Sequence, residues 1–328
     1  MRRSLTLISL ATVASFAHGG LPSLNLDTNA LTVSGLSSGG YMANQFHIAH
    51  SDWVAGAGLI ASGAYYCGQN DIKVALSECV NQAPEDSALT ALNQQVDGFV
   101  AAGLVAPLSH LKNSRVWILH GTEDTRVAGA VTERLVQQYQ QWVDADNLVY
   151  INDKPFAHHF PTLTKGGDCA TSAAPFIGQC DYDAAGEMLS FLLEKASPPS
   201  GPATGKLYTI DQQQRGKESA ESLADEGFVY VPTQCEKGQA CQVHVSFHGC
   251  NQNAEAVNDT YATQTGLNRW ADSNNLVVLY PQTKKSMFMP LNPQACWDWW
   301  GYTDEHYATQ KGQQIQAVAN IVNSLTTD

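Results

Sequence analysis

Gly35-Leu36-Ser37-Ser38-Gly39 is a G-x-S-x-G pentapeptide, a spacing that lifts a serine hydroxyl onto a tight strand-to-helix turn. A serine hydroxyl is a weak nucleophile at neutral pH. Acyl transfer through it needs a base within hydrogen-bond reach, a carboxylate that orients the base, and backbone donors for the oxyanion. Ser37 is the central serine, because centring on Ser38 puts leucine where the first glycine belongs. The carboxylate belongs just past a later strand, where RVWILHGTEDTRV offers Asp124, with Glu123 in reserve. The base belongs on the loop after the last strand, where NLVYINDKPFAHHFPT offers His158 and His159 in the required chain order Ser, Asp, His. Against each stands a plain structural alternative: a helix-capping aspartate on a solvated turn, and surface histidines without a role.

Two donors complete the set. One is the N–H of Ser38, at the start of the helix after the turn. The other comes from CQVHVSFHGCNQNAEAV, a strand running into His248-Gly249-Cys250, whose Cys250 N–H suits a second oxyanion donor. Further on, CWDWWGYTDEHY carries three tryptophans in four positions; Trp299 and Trp300 are read as the floor of an apolar substrate cleft, with buried packing as the alternative. GAGLIA, residues 56 to 61, matches a G-x-G-x-x-A dinucleotide pattern but lies inside an apolar strand, where small residues permit close packing.

The elements that must position these groups fall in an unusual order. Short apolar runs with β-branched residues read as strands at 30 to 35, 54 to 62, 115 to 121 and 147 to 153. Four more follow at 206 to 211, 226 to 232, 241 to 249 and 275 to 281. Between the groups lies SPPSGPATG, residues 197 to 205, a Pro/Gly/Ser-rich joint. A nucleophile turn of this kind normally follows several strands and the oxyanion loop, yet barely thirty residues precede Ser37. Placing the second group before the first restores the order, so the expected fold is a circularly permuted α/β-hydrolase: a mostly parallel eight-stranded sheet flanked by helices, one domain over 18 to 328, joined near 197 to 205. Permutation is physically acceptable because domain termini lie on the surface and often close together. The last helix, with Ile315, Val318, Val322 and Leu325 on one face, is then expected beside the strand leading to Ser37, with Cys250 facing Ser37.

Composition bounds the function. Residues 1 to 17, MRRSLTLISLATVASFA, have the basic start, short apolar run and small residues of a signal peptide, so export is expected. Eight cysteines suit an oxidising compartment, and proximity pairs Cys67 with Cys79, Cys169 with Cys180, Cys235 with Cys241 and Cys250 with Cys296. There is no C-x-x-C pair and no H-E-x-x-H, so no metal site is read. A net charge of −13 with scattered Lys and Arg carries neither a nucleic-acid footprint nor a polybasic membrane patch, and favours a neutral substrate.

Assembled, these motifs resemble the extracellular poly(3-hydroxybutyrate) depolymerases, particularly the circularly permuted single-domain type known from fungi. The resemblance runs through most of the chain after residue 17. GLSSGGYMA is similar to the family's elbow, HGTEDTRV to its acid segment, HHFPT to its histidine segment, and FHGCNQ, LYPQ and CWDWWGY to its oxyanion and aromatic segments. In the family one residue, an aromatic and a proline follow the base, which implies His158. The resemblance further implies an extracellular carboxylic ester hydrolase acting on a polyester of 3-hydroxy acids or its oligomers, with Ser37, Asp124 and His158 as triad and no metal or organic cofactor; separately, a monomer is expected. Two alternatives remain: a feruloyl or acetylxylan esterase, whose families share HGC and CWxW segments, and a binding protein that keeps a hydrolase fold without turnover.

Overall fold

The structure, a computed structural model, describes residues 20–326; the expected signal peptide lies outside the described residues. Among the described residues eleven strands are formed: β1 (Leu26–Leu36), β2 (Val54–Ile60), β3 (Arg115–Gly121), β4 (Leu148–Lys154), β5 (Phe160–Thr162), β6 (Gly167–Asp168), β7 (Ile177–Gln179), β8 (Lys206–Asp211), β9 (Glu226–Val231), β10 (Cys241–Phe247) and β11 (Leu276–Tyr280). Eight of them build one sheet in the order β4-β3-β2-β1-β10-β11-β9-β8. Neighbours run parallel except at β9, which is antiparallel to both β11 and β8. Both halves of the chain share this sheet, and β1 and β10 meet at its centre.

Read from β8, the spatial order follows the chain through β9, β10 and β11, with β10 and β11 exchanged, and continues through β1 to β4. That is the α/β-hydrolase order with its beginning moved to residue 206. The joint at 197 to 205 is irregular and anchored: Ser197 and Asn274 exchange hydrogen bonds (2.7 and 2.9 Å), and Asp272 accepts from Thr204.

Alternation along each strand sends side chains to two apolar layers. In β11, Val277 and Leu279 enter one layer while Leu276, Val278 and Tyr280 enter the other. The first layer is covered by α1 (Ser38–Ala49), α2 (Asp86–Ala101), α3 (Gly129–Tyr139) and, later in the chain, Gln313–Ser324, through Phe46, Val96, Leu135 and Ile315. The second is covered by α4 (Ala184–Leu192) and α5 (Leu267–Ser273), through Met188, Leu189 and Leu267. GAGLIA lies across β2, where a Cβ on Gly58 would sit 2.0 Å from the Met188 sulfur. Its small residues admit α4 against the sheet.

The last helix, α6 (Gln313–Ser324), packs chiefly on residues 212 to 222 and more lightly on α1, rather than mainly beside β1 as expected. Asn320 Nδ2 donates to the Gly216 carbonyl (3.2 Å). Leu325 shares an apolar core with Leu24 and Leu31. α4 ends at Leu192, where Leu193 adopts extended backbone. β5, β7 and β6 form a small separate sheet that the sequence reading lacks, tied by the Cys169–Cys180 disulfide. All four proximity pairings of cysteine are formed.

Candidate active site

Parallel strands place the loops after their carboxyl ends side by side. At this edge β1 ends beside β10, with Gly35 paired to Phe247, and β3 ends beside β4, with Gly121 paired to Lys154. The Ser37, His248-Gly249-Cys250, Asp124 and His158 segments therefore converge.

Ser37 stands in the left-handed region (φ 57°, ψ −124°) between β1 and α1, a conformation that costs a non-glycine residue roughly 1 kcal/mol or more and persists only where surroundings enforce it. They do so here: Ser37 N donates to the Ile60 carbonyl (2.9 Å), and the Ser37 carbonyl accepts from Tyr41 N (3.0 Å). The flanking glycines are sterically required. A Cβ on Gly35 would lie 2.1 Å from the Gly39 carbonyl oxygen, and one on Gly39 would lie 2.2 Å from that of Phe247. Ser38 opens the helix, so its N–H has no acceptor within the helix.

Asp124 meets His158, with 2.7 Å between Oδ2 and Nδ1, while Oδ1 accepts from the Arg126 and Val127 N–H groups (2.8 and 3.0 Å). The side chains are 1% and 7% exposed. Burial pushes the Asp124 carboxyl upward, but the His158 hydrogen bond and charge and the two backbone donors outweigh it and hold its pKa below the usual value. Glu123 is exposed and makes no such contact among the described residues.

His159 turns the other way. Its Nε2 donates to the Cys169 carbonyl (2.7 Å), its ring packs on Gly178, and burial lowers its pKa. It lies near Cys169 and Cys180, whose sulfurs are bonded to each other and offer no thiolate. Ser37 and His158 line one cleft of about 740 Å³; among the described residues no hydrogen bond joins the Ser37 hydroxyl to His158, a contact that free enzymes often hold loosely.

Gly249 and Cys250 form the facing wall. A Cβ on Gly249 would come within 3.6 Å of the Ser37 Cβ, so the two loops nearly touch. The Gly249 N–H is taken by Gln252 Oε1 (2.8 Å), whereas the Cys250 N–H has no acceptor among the described residues. The intervening peptide is held by a histidine the motif reading left without a role. Nδ1 of buried His248 lies 2.7 Å from the Gly249 carbonyl, and Nε2 lies 3.2 Å from the Thr283 N–H. A carbonyl only accepts and an amide N–H only donates, so both partners fix one neutral tautomer, protonated at Nδ1. Burial pushes its pKa down to about 4, keeping it neutral. Holding the Gly249 carbonyl fixes the plane of the peptide that carries the Cys250 N–H. We expect His248→Ala to lower kcat roughly 10- to 100-fold with KM within about threefold, since one well-aimed oxyanion donor is worth about 10²–10³. Steady-state kinetics on a soluble ester would check this; unchanged kcat in a folded variant would show that the peptide holds without the imidazole.

Trp299 and Trp300 line the cleft, whereas Trp297 is buried in the core against Phe247. Trp299 stacks on Tyr41 at 4.7 Å and meets Trp300 edge-on at 5.4 Å. Buried Asp298 shapes their loop: Oδ1 accepts from the N–H groups of Trp300, Gly301 and Tyr302, and Oδ2 accepts from the Thr303 N–H and hydroxyl, at 2.6 to 3.2 Å. An aspartate before a glycine-containing turn was the available signal for this role. The Cys250–Cys296 disulfide ties the loop to the oxyanion segment.

The sheet order, the serine elbow and the Asp-His pair beside it define an α/β-hydrolase with a Ser-His-Asp arrangement. No family model matches the chain. It is 36% identical over 310 residues to a poly(3-hydroxybutyrate) depolymerase of Delftia acidovorans, covering 94% of this chain and 62% of that protein's length. It is 31% identical over 329 residues to a polyhydroxybutyrate depolymerase of Talaromyces funiculosus, covering 96% of this chain and 94% of that one. Solved structures similar to it include a PHB depolymerase from Penicillium funiculosum and a serine-to-alanine variant of a PHB depolymerase complexed with an R3HB trimer. Each has a TM-score of 0.87 and 29% identity, and covers 94% of this chain and 99% of the other. The chain belongs to the polyhydroxybutyrate depolymerase family.

Proposed function

We propose that this chain is a secreted, monomeric esterase, with residues 18 to 328 as one catalytic domain, that hydrolyses poly(3-hydroxybutyrate) or its oligomers. His158 takes the proton of Ser37 as the hydroxyl attacks the ester carbonyl. The N–H groups of Ser38 and Cys250 hold the oxyanion, and the imidazolium passes its proton to the departing alcohol. Water, activated by the same imidazole, then releases the acid from Ser37. Asp124 keeps Nδ1 of His158 protonated, so that Nε2 is the proton acceptor. The observation carrying this reading is the junction of the Asp124–His158 pair and the strained Ser37 in one mainly apolar cleft walled by Trp299 and Trp300.

The rim of that cleft favours a water-insoluble substrate. Ile72, Leu76 and Leu291 are about half exposed, and Phe288 and Met289 are 85% and 88% exposed. Four of these five line the cleft as well. Exposed apolar groups gathered at a cleft mouth form an adsorbing surface, consistent with four disulfides in a chain built to work outside the cell. The test compares purified protein on films of poly(3-hydroxybutyrate), on 3-hydroxybutyrate oligomers and on methyl ferulate. Release of 3-hydroxybutyrate with little ferulate is expected; ferulate release alone would overturn the proposal.

A further inference from the structure

Although the chain has 31 acidic residues against 18 basic ones, no Asp or Glu is among the residues lining the cleft, and Arg126 is its single Lys or Arg. Its position is built. Arg126 Nε donates to Ser172 Oγ (3.0 Å), whose hydroxyl donates to the His158 carbonyl (3.0 Å), and the guanidinium lies 5.7 Å from the centre of the Phe176 ring. The Arg126 backbone N–H donates to Asp124, so the residue is tied to both the acid and the base of the triad. Among the described residues no carboxylate pairs with its guanidinium.

We propose that Arg126 binds the terminal carboxylate of a soluble 3-hydroxyacid oligomer, making the free-acid chain end a preferred point of cleavage. This rests on the esterase reading above. In the first half-reaction the acyl C–O bond breaks, Ser37 Oγ takes the acyl group, and the proton held by His158 goes to the departing alkoxide. Water later supplies OH to the acyl carbon and a proton to Ser37 through His158. When the last ester of a free-acid oligomer is cut, that alkoxide belongs to a 3-hydroxy acid whose carboxylate stands two carbons beyond the carbinol carbon. The departing alkoxide takes its proton from His158, and Arg126 is tied through Ser172 to that histidine's carbonyl in the same cleft, within the surroundings this carboxylate enters as it leaves. Guanidinium matches it with two parallel N–H donors, which an ammonium cannot reproduce.

The experiment uses the full chain and two probes, the (R)-3-hydroxybutyrate dimer as free acid and as its methyl ester, with kcat/KM for the internal ester measured by chromatography. Wild type should prefer the free acid. In Arg126→Gln the free-acid to methyl-ester ratio should fall about three- to tenfold, the range of one partly exposed charged hydrogen-bonded pair. Arg126→Lys should keep part of the preference, and 0.5 M salt (~4 Å screening length) should reduce it in the wild type. Because both probes report on the same sample, misfolding lowers both rates and leaves the ratio unmoved. A ratio unchanged in Arg126→Gln, while both dimers are still cleaved, would overturn the carboxylate site and leave the esterase reading standing. Wild type inert on both dimers but active on films or longer oligomers would overturn the carboxylate site alone, and wild type inert on all of them would overturn the esterase reading as well.

Discussion

Ser37→Ala should lower kcat on a soluble 3-hydroxybutyrate oligomer by roughly 10⁴–10⁶, the scale on which a triad serine acts as a unit with its base. Substrate affinity should change little, because the Ser38 and Cys250 amides and the Trp299–Trp300 wall remain. Stability should also hold: the hydroxyl has no hydrogen-bond partner among the described residues, and alanine keeps the Cβ that the φ of 57° already tolerates. An unfolding free energy within the ~0.5 kcal/mol usual for a substitution without buried contacts would separate lost chemistry from lost structure. Turnover equal to wild type would end the serine mechanism.

The sheet was legible because a buried parallel strand leaves a compact signature, a short β-branched run closed by turn formers, as in RVWILHG and NLVVLYP. Permutation was legible because it displaces whole strands without changing that signature. Where the signal is shorter than a strand, reading failed. The β5-β7-β6 sheet is built from segments of two and three residues, held by a disulfide and by His159 rather than by a hydrophobic period. The seat of α6 was also hidden, since one apolar face does not say which neighbour it meets; residues 212 to 222, polar in sequence, supply it with the Gly216 carbonyl and Ala220.

The site divides in the same way. Glycines around Ser37 announce a tight turn, and strand ends announce where a carboxylate and a histidine belong. Sequence cannot say which of two adjacent identical residues turns inward: His158 meets Asp124, and His159 meets the Cys169 carbonyl, because the chain between β4 and β5 gives consecutive side chains opposite sides. Nor does HGC announce that His248 would brace the peptide after it; that depends on Thr283, thirty-five residues away.

Asp124→Asn should lower kcat by about 10⁴ with KM nearly unchanged, because its side chain acts through His158 and does not line the cleft. The backbone dictates why. Oδ1 accepts from the Arg126 and Val127 N–H groups, so an asparagine must turn its carbonyl to those donors and its amide N–H to His158 Nδ1. Nδ1 is then the acceptor, the proton moves to Nε2, and the nitrogen facing Ser37 can no longer take its proton. The same substitution carries a stability signature. The folded pKa of Asp124 lies below its ordinary value of 3.8, so between the two the unfolded chain binds more protons than the folded one, and stability rises with pH there. Asp124 thus contributes stability that is present above about pH 4 and lost as pH falls through the folded pKa. Denaturation of wild type and Asp124→Asn across pH 2 to 7 should show a gap at neutral pH that narrows in acid. A gap constant with pH would mean that the Asp124–His158 contact contributes no charge-dependent stability, while a kcat near wild type would show that His158 finds its tautomer without Asp124.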